Sequence, residues 1–98
     1  MTVATFRRIA LGMAGAIEGS HMNHPDFRAN GKIFASIQPD NARGTVKLTP
    51  EQQERFLREY PGMFEAAAGA WGRQGWTMVI FKSADAEASG EAVTLAWR

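Results

Sequence analysis

The apolar and polar positions of this chain follow two periods, and the points where one gives way to the other divide it into helices and strands. Over residues 3 to 14, Phe6, Ile9, Ala10 and Met13 fall at the i, i+3, i+4, i+7 spacing of an amphipathic helix, with Arg7 and Arg8 off the stripe. Gly12 and Gly15 fray its end. The segment from Glu18 to Pro25 is polar, shows neither period and reads as irregular. From Phe27 the pattern becomes extended. Phe27-Arg28-Ala29 and Lys32-Ile33-Phe34-Ala35 flank Asn30-Gly31, a pair that accepts φ > 0 at both central positions of a tight hairpin turn. A two-residue loop sets Ala29 opposite Lys32, Arg28 opposite Ile33 and Phe27 opposite Phe34. Phe27 and Phe34 then share one face, with Arg28, Ile33 and Ile37 on the other. Pro39-Asp40-Asn41 turns the chain into Gly44-Thr45-Val46-Lys47-Leu48, whose alternation points Val46 and Leu48 inward and Thr45 and Lys47 outward.

Thr49-Pro50-Glu51-Gln52 opens a helix: Thr49 suits the N-cap, Pro50 the first helical position, and Gln52 completes a capping box. This helix buries Phe56, Leu57 and Tyr60 and ends at Pro61-Gly62. Met63 to Gly69 reads as a loose connection, and Trp71-Gly72-Arg73-Gln74-Gly75-Trp76 as a Gly-flanked loop leading into a strand from Trp76 to Phe81. Ser83 then caps a final helix with Val93 and Trp97 on one side. The order α, β-hairpin, β, α, β, α predicts one α+β domain over residues 1–98. It should have two layers: an antiparallel sheet of about four to five strands, with helices packed on one face.

Composition narrows the function classes. No stretch approaches the ~20 apolar residues of a membrane span, and Met1 to Arg8 lacks the basic-then-apolar order of a signal peptide. The expectation is a cytoplasmic protein with no membrane partner, monomeric or weakly dimeric. The chain has no cysteine, which excludes disulfides, thiolate metal sites and thiol nucleophiles. Eleven basic and ten acidic side chains leave a formal net charge of +1, so nucleic-acid binding would need local clustering of cations.

Catalytic chemistry finds little support. Ser20, Ser36, Ser83 and Ser89 lie in no nucleophile elbow. Glu51 and Glu54 read as charges on an exposed helix face, and Gly72-Arg73-Gln74-Gly75 lacks the remaining residues of a phosphate or dinucleotide loop. No catalytic residue, no cofactor and no enzyme activity are expected. His21 and His24, near Glu18 and Asp26, supply metal-type donors, but His-x-x-His outside a helix is an incomplete set for zinc. The plainer reading has His24 packing on the hairpin and His21 in solvent.

Binding is better served. Arg28, Lys32, Arg43 and Lys47 lie on or beside strands, and Arg73 sits between two tryptophans. A wing built from the hairpin and the Arg73 loop would bring these cations to DNA phosphates, with Trp71 or Trp76 stacking on a base. The competing reading is a small-ligand or protein-partner module that uses the Trp71/Trp76 aromatic region as a patch or shallow pocket.

The blocks Glu18-Gly19-x-His21-x-x-His24-Pro25-x-Phe27-Arg28, Gly31-Lys32-Ile33-Phe34-Ala35, Val46-Lys47-Leu48-x-Pro50-Glu51 and Trp71-Gly72-Arg73-Gln74-Gly75-Trp76, in that order, resemble the MmcQ/YjbR-like family. The resemblance spans nearly the whole chain. It implies a compact α+β, frataxin-like fold and DNA binding through a double-wing arrangement. Where related sequences carry an aromatic-Gly pair, this chain has Met22-Asn23, so no role of that aromatic carries over.

Overall fold

Thr2 starts the first helix: its Oγ1 accepts the Thr5 N–H at 3.1 Å, and α1 runs Val3–Leu11 in the computed structural model, which describes residues 1–98. Phe6 and Ala10 on its apolar stripe are fully buried, with Ile9 and Met13 packed beside them. Four antiparallel strands follow, β1 (Ile17–His21), β2 (His24–Ala29), β3 (Lys32–Ile37) and β4 (Arg43–Lys47). Helix α2 (Pro50–Glu59) begins with the expected capping box: Thr49 Oγ1 accepts the Gln52 N–H at 3.1 Å, and Gln52 Oε1 accepts the Thr49 N–H at 3.0 Å. The chain closes with β5 (Phe64–Ala66), a short helix α3 (Gly69–Arg73) in place of the first half of the expected Trp71–Trp76 loop, β6 (Trp76–Ile80) and α4 (Ala86–Trp97).

The six strands form one sheet in the order β1-β2-β3-β4-β6-β5, every neighbouring pair antiparallel. The α+β class and the antiparallel sheet are as expected, but the sheet has more strands than the pattern indicated. The extra ones are β1 and β5, both at edges. β1 lies in the polar segment read as irregular, and a tight turn with positive φ at Met22 (49°) and Asn23 (66°) joins it to β2. Its outward positions carry no apolar repeat because no layer covers them. β5 has three residues, of which only Phe64 is buried, so it lacks the length to show a period.

The β2–β3 hairpin turns at Asn30 (φ 53°) and Gly31 (φ 75°), and pairs Ala29 with Lys32 and Arg28 with Ile33 as the turn chemistry requires. Beyond those pairs a bulge intervenes. Phe27 faces Ala35 rather than Phe34, and Asp26 faces Ser36. Phe34 is the extra residue, and the shift moves Ile37 from the Arg28 face to the core face, where it is fully buried. A second adjustment concerns α4. Asp85, not Ser83, caps it by accepting the Ala88 N–H at 2.7 Å, while Ser83 donates to the Gly62 carbonyl.

One sheet face carries Phe27, Ala35, Ile37, Val46, Thr77, Val79 and Phe64, and α1, α2 and α4 cover it. Phe6 of α1 meets Phe81 at 5.1 Å and the edge of Phe27 at 6.4 Å, and Phe56 of α2 meets Phe64 edge-on at 5.1 Å. Glu91 ties α4 to α2 by accepting from Arg55 at 2.8 Å and from the Tyr60 hydroxyl at 3.1 Å. The opposite sheet face has no helix of this group upon it, and the row Gly19, Asp26, Ser36, Thr45, Met78, Glu65 crosses it from one edge to the other.

Candidate nucleic-acid interface

Strand alternation decides which candidates can act together. Arg28, Lys47 and Trp76 each stand one residue from a core-facing position, so all three fall on the open face. They also share the end of the sheet where the β2–β3 hairpin turns, because Lys47 pairs with Trp76 and Arg28 pairs with Ile17 and Ile33. Lys32 is at the same end but pairs with Ala29, and so alternates to the helix side of the hairpin tip. Arg43, paired with Ile80, stands at the far end of the open face. Alternation thus joins Arg28, Lys47 and Trp76 and leaves Lys32 and Arg43 apart.

The tryptophans are brought together by glycines. Gly75 takes φ 109°, and a Cβ there would lie 1.9 Å from the Leu48 carbonyl oxygen; one at Gly72 would lie 1.9 Å from that of Ala67. Only glycine permits α3 to fold so tightly between β5 and β6. The result sets Trp71 edge-on to Trp76 at 6.3 Å, with Trp71 65% exposed. Lys47 Nζ lies over the Trp76 ring at 5.8 Å and donates to the Gln74 carbonyl at 2.8 Å. Arg73 is the last residue of α3 and is exposed. Neither Lys47 nor Arg73 pairs with a carboxylate. A groove of about 540 Å³ opens beside Lys47, lined by Leu48, Thr49, Gln52, Gln74 and Leu95 among others.

The arginines of the strands are engaged differently. Arg28 grips Asp26, Nε to Oδ1 at 2.7 Å and Nη2 to Oδ2 at 3.0 Å, and His21 Nδ1 meets the same carboxylate at 2.7 Å. Asp26 is fully buried although it stands on the open face, since Gly19 opposite it leaves space that the guanidinium fills. The hydrogen bonds from Arg28, then that from His21, hold the Asp26 carboxyl below its ordinary range despite its burial, and Arg28 is pushed up in turn. Arg43 is matched to Asp40 at 3.2 Å and to Glu65 at 3.6 Å. The backbone N–H of Ala42, then Arg43, holds Asp40 low.

Of the metal-type donors, Glu18 is drawn away to Arg7 at 3.1 Å, and His24 Nδ1 meets the Ile37 carbonyl at 2.8 Å. No three His, Asp or Glu side chains converge as a closed zinc site requires. His21 is not simply solvated, being held by Asp26. Sequence reading passed over Asp26 as an organising residue, and Ile17, a 64% exposed apolar group beside Arg28. Asp26 and Arg28 at i, i+2 share a strand face, so the pair becomes legible once β2 is known to start at His24.

Comparison with known proteins settles the family. A YjbR family model matches residues 11–98. The chain belongs to the YjbR family. This YjbR chain is also similar in fold to the crystal structure of a Deinococcus radiodurans protein with a DUF419 domain: the TM-score is 0.78 and the identity 20%, covering 98% of this chain and 75% of that one. A Pseudomonas syringae protein of known crystal structure gives a TM-score of 0.76 at 17% identity, covering 99% and 97% of the two chains. These likenesses concern the fold. No curated protein matches the YjbR chain. No helix is long and apolar enough to cross a membrane.

Proposed function

We propose that this YjbR chain is a non-catalytic binding domain that holds single-stranded DNA, without sequence preference, on the open sheet face at its Lys47–Trp71–Trp76 end. The observation that carries the reading is the exposed Trp71 set edge-on to Trp76, with Lys47 over the Trp76 ring; Lys47 and the exposed Arg73, two residues along α3 from Trp71, have no carboxylate partner. Any base offers a π-face to an exposed indole, so stacking binds without selecting sequence, and each stacked base contributes about 1–3 kcal/mol. Lys47 and Arg73 then hold adjacent phosphates.

Arg28 and Arg43 contribute less, because leaving Asp26, Asp40 or Glu65 would cost each guanidinium the pairs it already makes. Affinity should therefore depend only mildly on salt. Two phosphate contacts on a single strand give a log–log slope of about −1.4.

The test is tryptophan quenching by an oligo-dT strand at low and near-physiological salt, with Trp71→Ala and the Lys47→Gln/Arg73→Gln pair as variants. The proposal expects saturable quenching in the parent and an affinity at least about tenfold weaker in both variants, read from the remaining tryptophans. Equal binding by parent and variants, or no binding at low salt, overturns it. In the second case the alternative is a small-ligand or protein-partner module on the exposed Trp71/Trp76 patch itself, since neither tryptophan lines the groove beside Lys47.

A further inference from the structure

The β1–β2 hairpin holds a pair of histidines whose surroundings match those of metal ligands. His21 and His24 flank the Met22-Asn23 turn, pair across the two strands and therefore project to the same side, with ring centroids 4.3 Å apart. Each ring has one nitrogen committed. His21 Nδ1 lies 2.7 Å from the Asp26 carboxylate, and His24 Nδ1 lies 2.8 Å from the Ile37 carbonyl. Both partners are acceptors only: the carboxylate is held ionised by Arg28, and a carbonyl has no proton to give. Each Nδ1 must therefore carry the proton, and in the neutral imidazole this leaves the lone pair on Nε2.

A carboxylate or backbone carbonyl behind the distal nitrogen is how metal-binding histidines are oriented and made more basic. Here both rings have such a support, and it comes from buried, fixed groups. Asp26 has no exposed surface and is braced by a bidentate arginine, and Ile37 is buried in β3. The rings themselves remain reachable, His21 with 39% of its side chain exposed. A hairpin that only needed two polar residues at its end would not require either ring to be clamped.

We infer that His21 and His24 form an open two-histidine site for a borderline divalent cation such as Ni²⁺, Cu²⁺ or Zn²⁺, bound through their Nε2 atoms. Imidazole nitrogen selects these ions over Mg²⁺ and Ca²⁺, which prefer oxygen donors. With two protein ligands the remaining coordination positions belong to water or to an exogenous donor, so the site is exchangeable rather than structural. It stands on the β1–β2 flank, apart from Lys47 and the tryptophans, and is independent of the DNA proposal.

The experiment is calorimetric titration of the untagged protein with NiCl₂ in a non-coordinating buffer, with MgCl₂ in parallel. The site predicts one Ni²⁺ per chain at micromolar affinity, no heat with Mg²⁺, and loss of the Ni²⁺ signal in His21→Ala and in His24→Ala. Because either variant could fold poorly, a second measurement uses the parent protein. On Zn²⁺ addition, the side-chain ¹⁵N resonances of both histidines should shift at Nε2 while Nδ1 keeps its proton. Nickel binding that survives both substitutions, or Nε2 resonances unmoved by Zn²⁺, would overturn the inference.

Discussion

On the β1–β2 flank of the open face, His21, Asp26 and Arg28 hold one another, and the carboxylate at their centre is fully buried. On the β4–β6 flank Lys47 and Arg73 have no carboxylate, and Trp71 stands 65% exposed against Trp76. Both flanks contain cations, and their sign alone does not tell them apart. The difference lies in what each cation would have to give up to meet a ligand. A guanidinium already bidentate on a buried carboxylate would strand that carboxylate on leaving, whereas Lys47 gives up only a carbonyl hydrogen bond. The first flank thus keeps its arginine engaged, and the second leaves Lys47 available to a phosphate.

The largest expected effect calibrates the scaffold beneath both flanks. Phe27→Ala removes a fully buried ring that meets Phe6, and should cost about 3–5 kcal/mol in urea unfolding. A loss under about 1 kcal/mol would mean that the helix layer does not grip the sheet as described.

Next, Asp26→Ala should cost about 2 kcal/mol, since Arg28 and His21 lose their acceptor but both can turn to water. The same residue sets a pH dependence. Its folded-state pKa lies below the ordinary 3.8, chiefly through Arg28, so the ionised carboxylate stabilises the fold above that value. That contribution falls away as pH drops through the depressed pKa. Unfolding midpoints of the parent should decline below about pH 4 more steeply than those of Asp26→Asn. Parallel declines would remove Asp26 from its central place on this flank.

Trp71→Ala sharpens the contrast, because a 65% exposed side chain should change stability by no more than about 0.5 kcal/mol. Oligo-dT affinity should meanwhile fall about tenfold, the low part of the range for one stacked base. A variant that unfolds readily would make Trp71 a packing residue instead. The smallest effect is expected from Arg43→Gln. Arg43 stands at the far end of the face and is already paired with Asp40 and Glu65, so oligo-dT binding should stay within about twofold. A loss equal to that of the Lys47/Arg73 pair would extend the interface along the whole face.

The sequence made some of this visible and concealed the rest for identifiable reasons. The Phe6–Ala10 stripe, the Asn30-Gly31 turn and the Thr49–Gln52 capping box are local devices, each written in adjacent residues, and each appears as read. β1 stayed hidden because an uncovered edge strand needs no apolar alternation, although Met22-Asn23 could have been weighed as a turn. The bulge at Phe34 is imposed by packing across the sheet and leaves no local mark. At the site, Trp71, Trp76, Lys47 and Arg73 could be nominated from composition and spacing. The engagement of Arg28 by Asp26 could not, since it depends on a strand whose start was not recognised and on the space left by Gly19. Residue type identified the cations, and only the register separated the engaged from the free.

The most direct test of the central claim is chemical-shift mapping of ¹⁵N-labelled protein during titration with oligo-dT. The account predicts that the Trp71 and Trp76 indole N–H signals and the backbone amides around Lys47, Arg73 and Gln74 move first and furthest. Signals of His21, Asp26 and Arg43 should stay near their starting positions. Shifts centred on the β1–β2 flank or the helix layer, or no shifts at all at low salt, would contradict it.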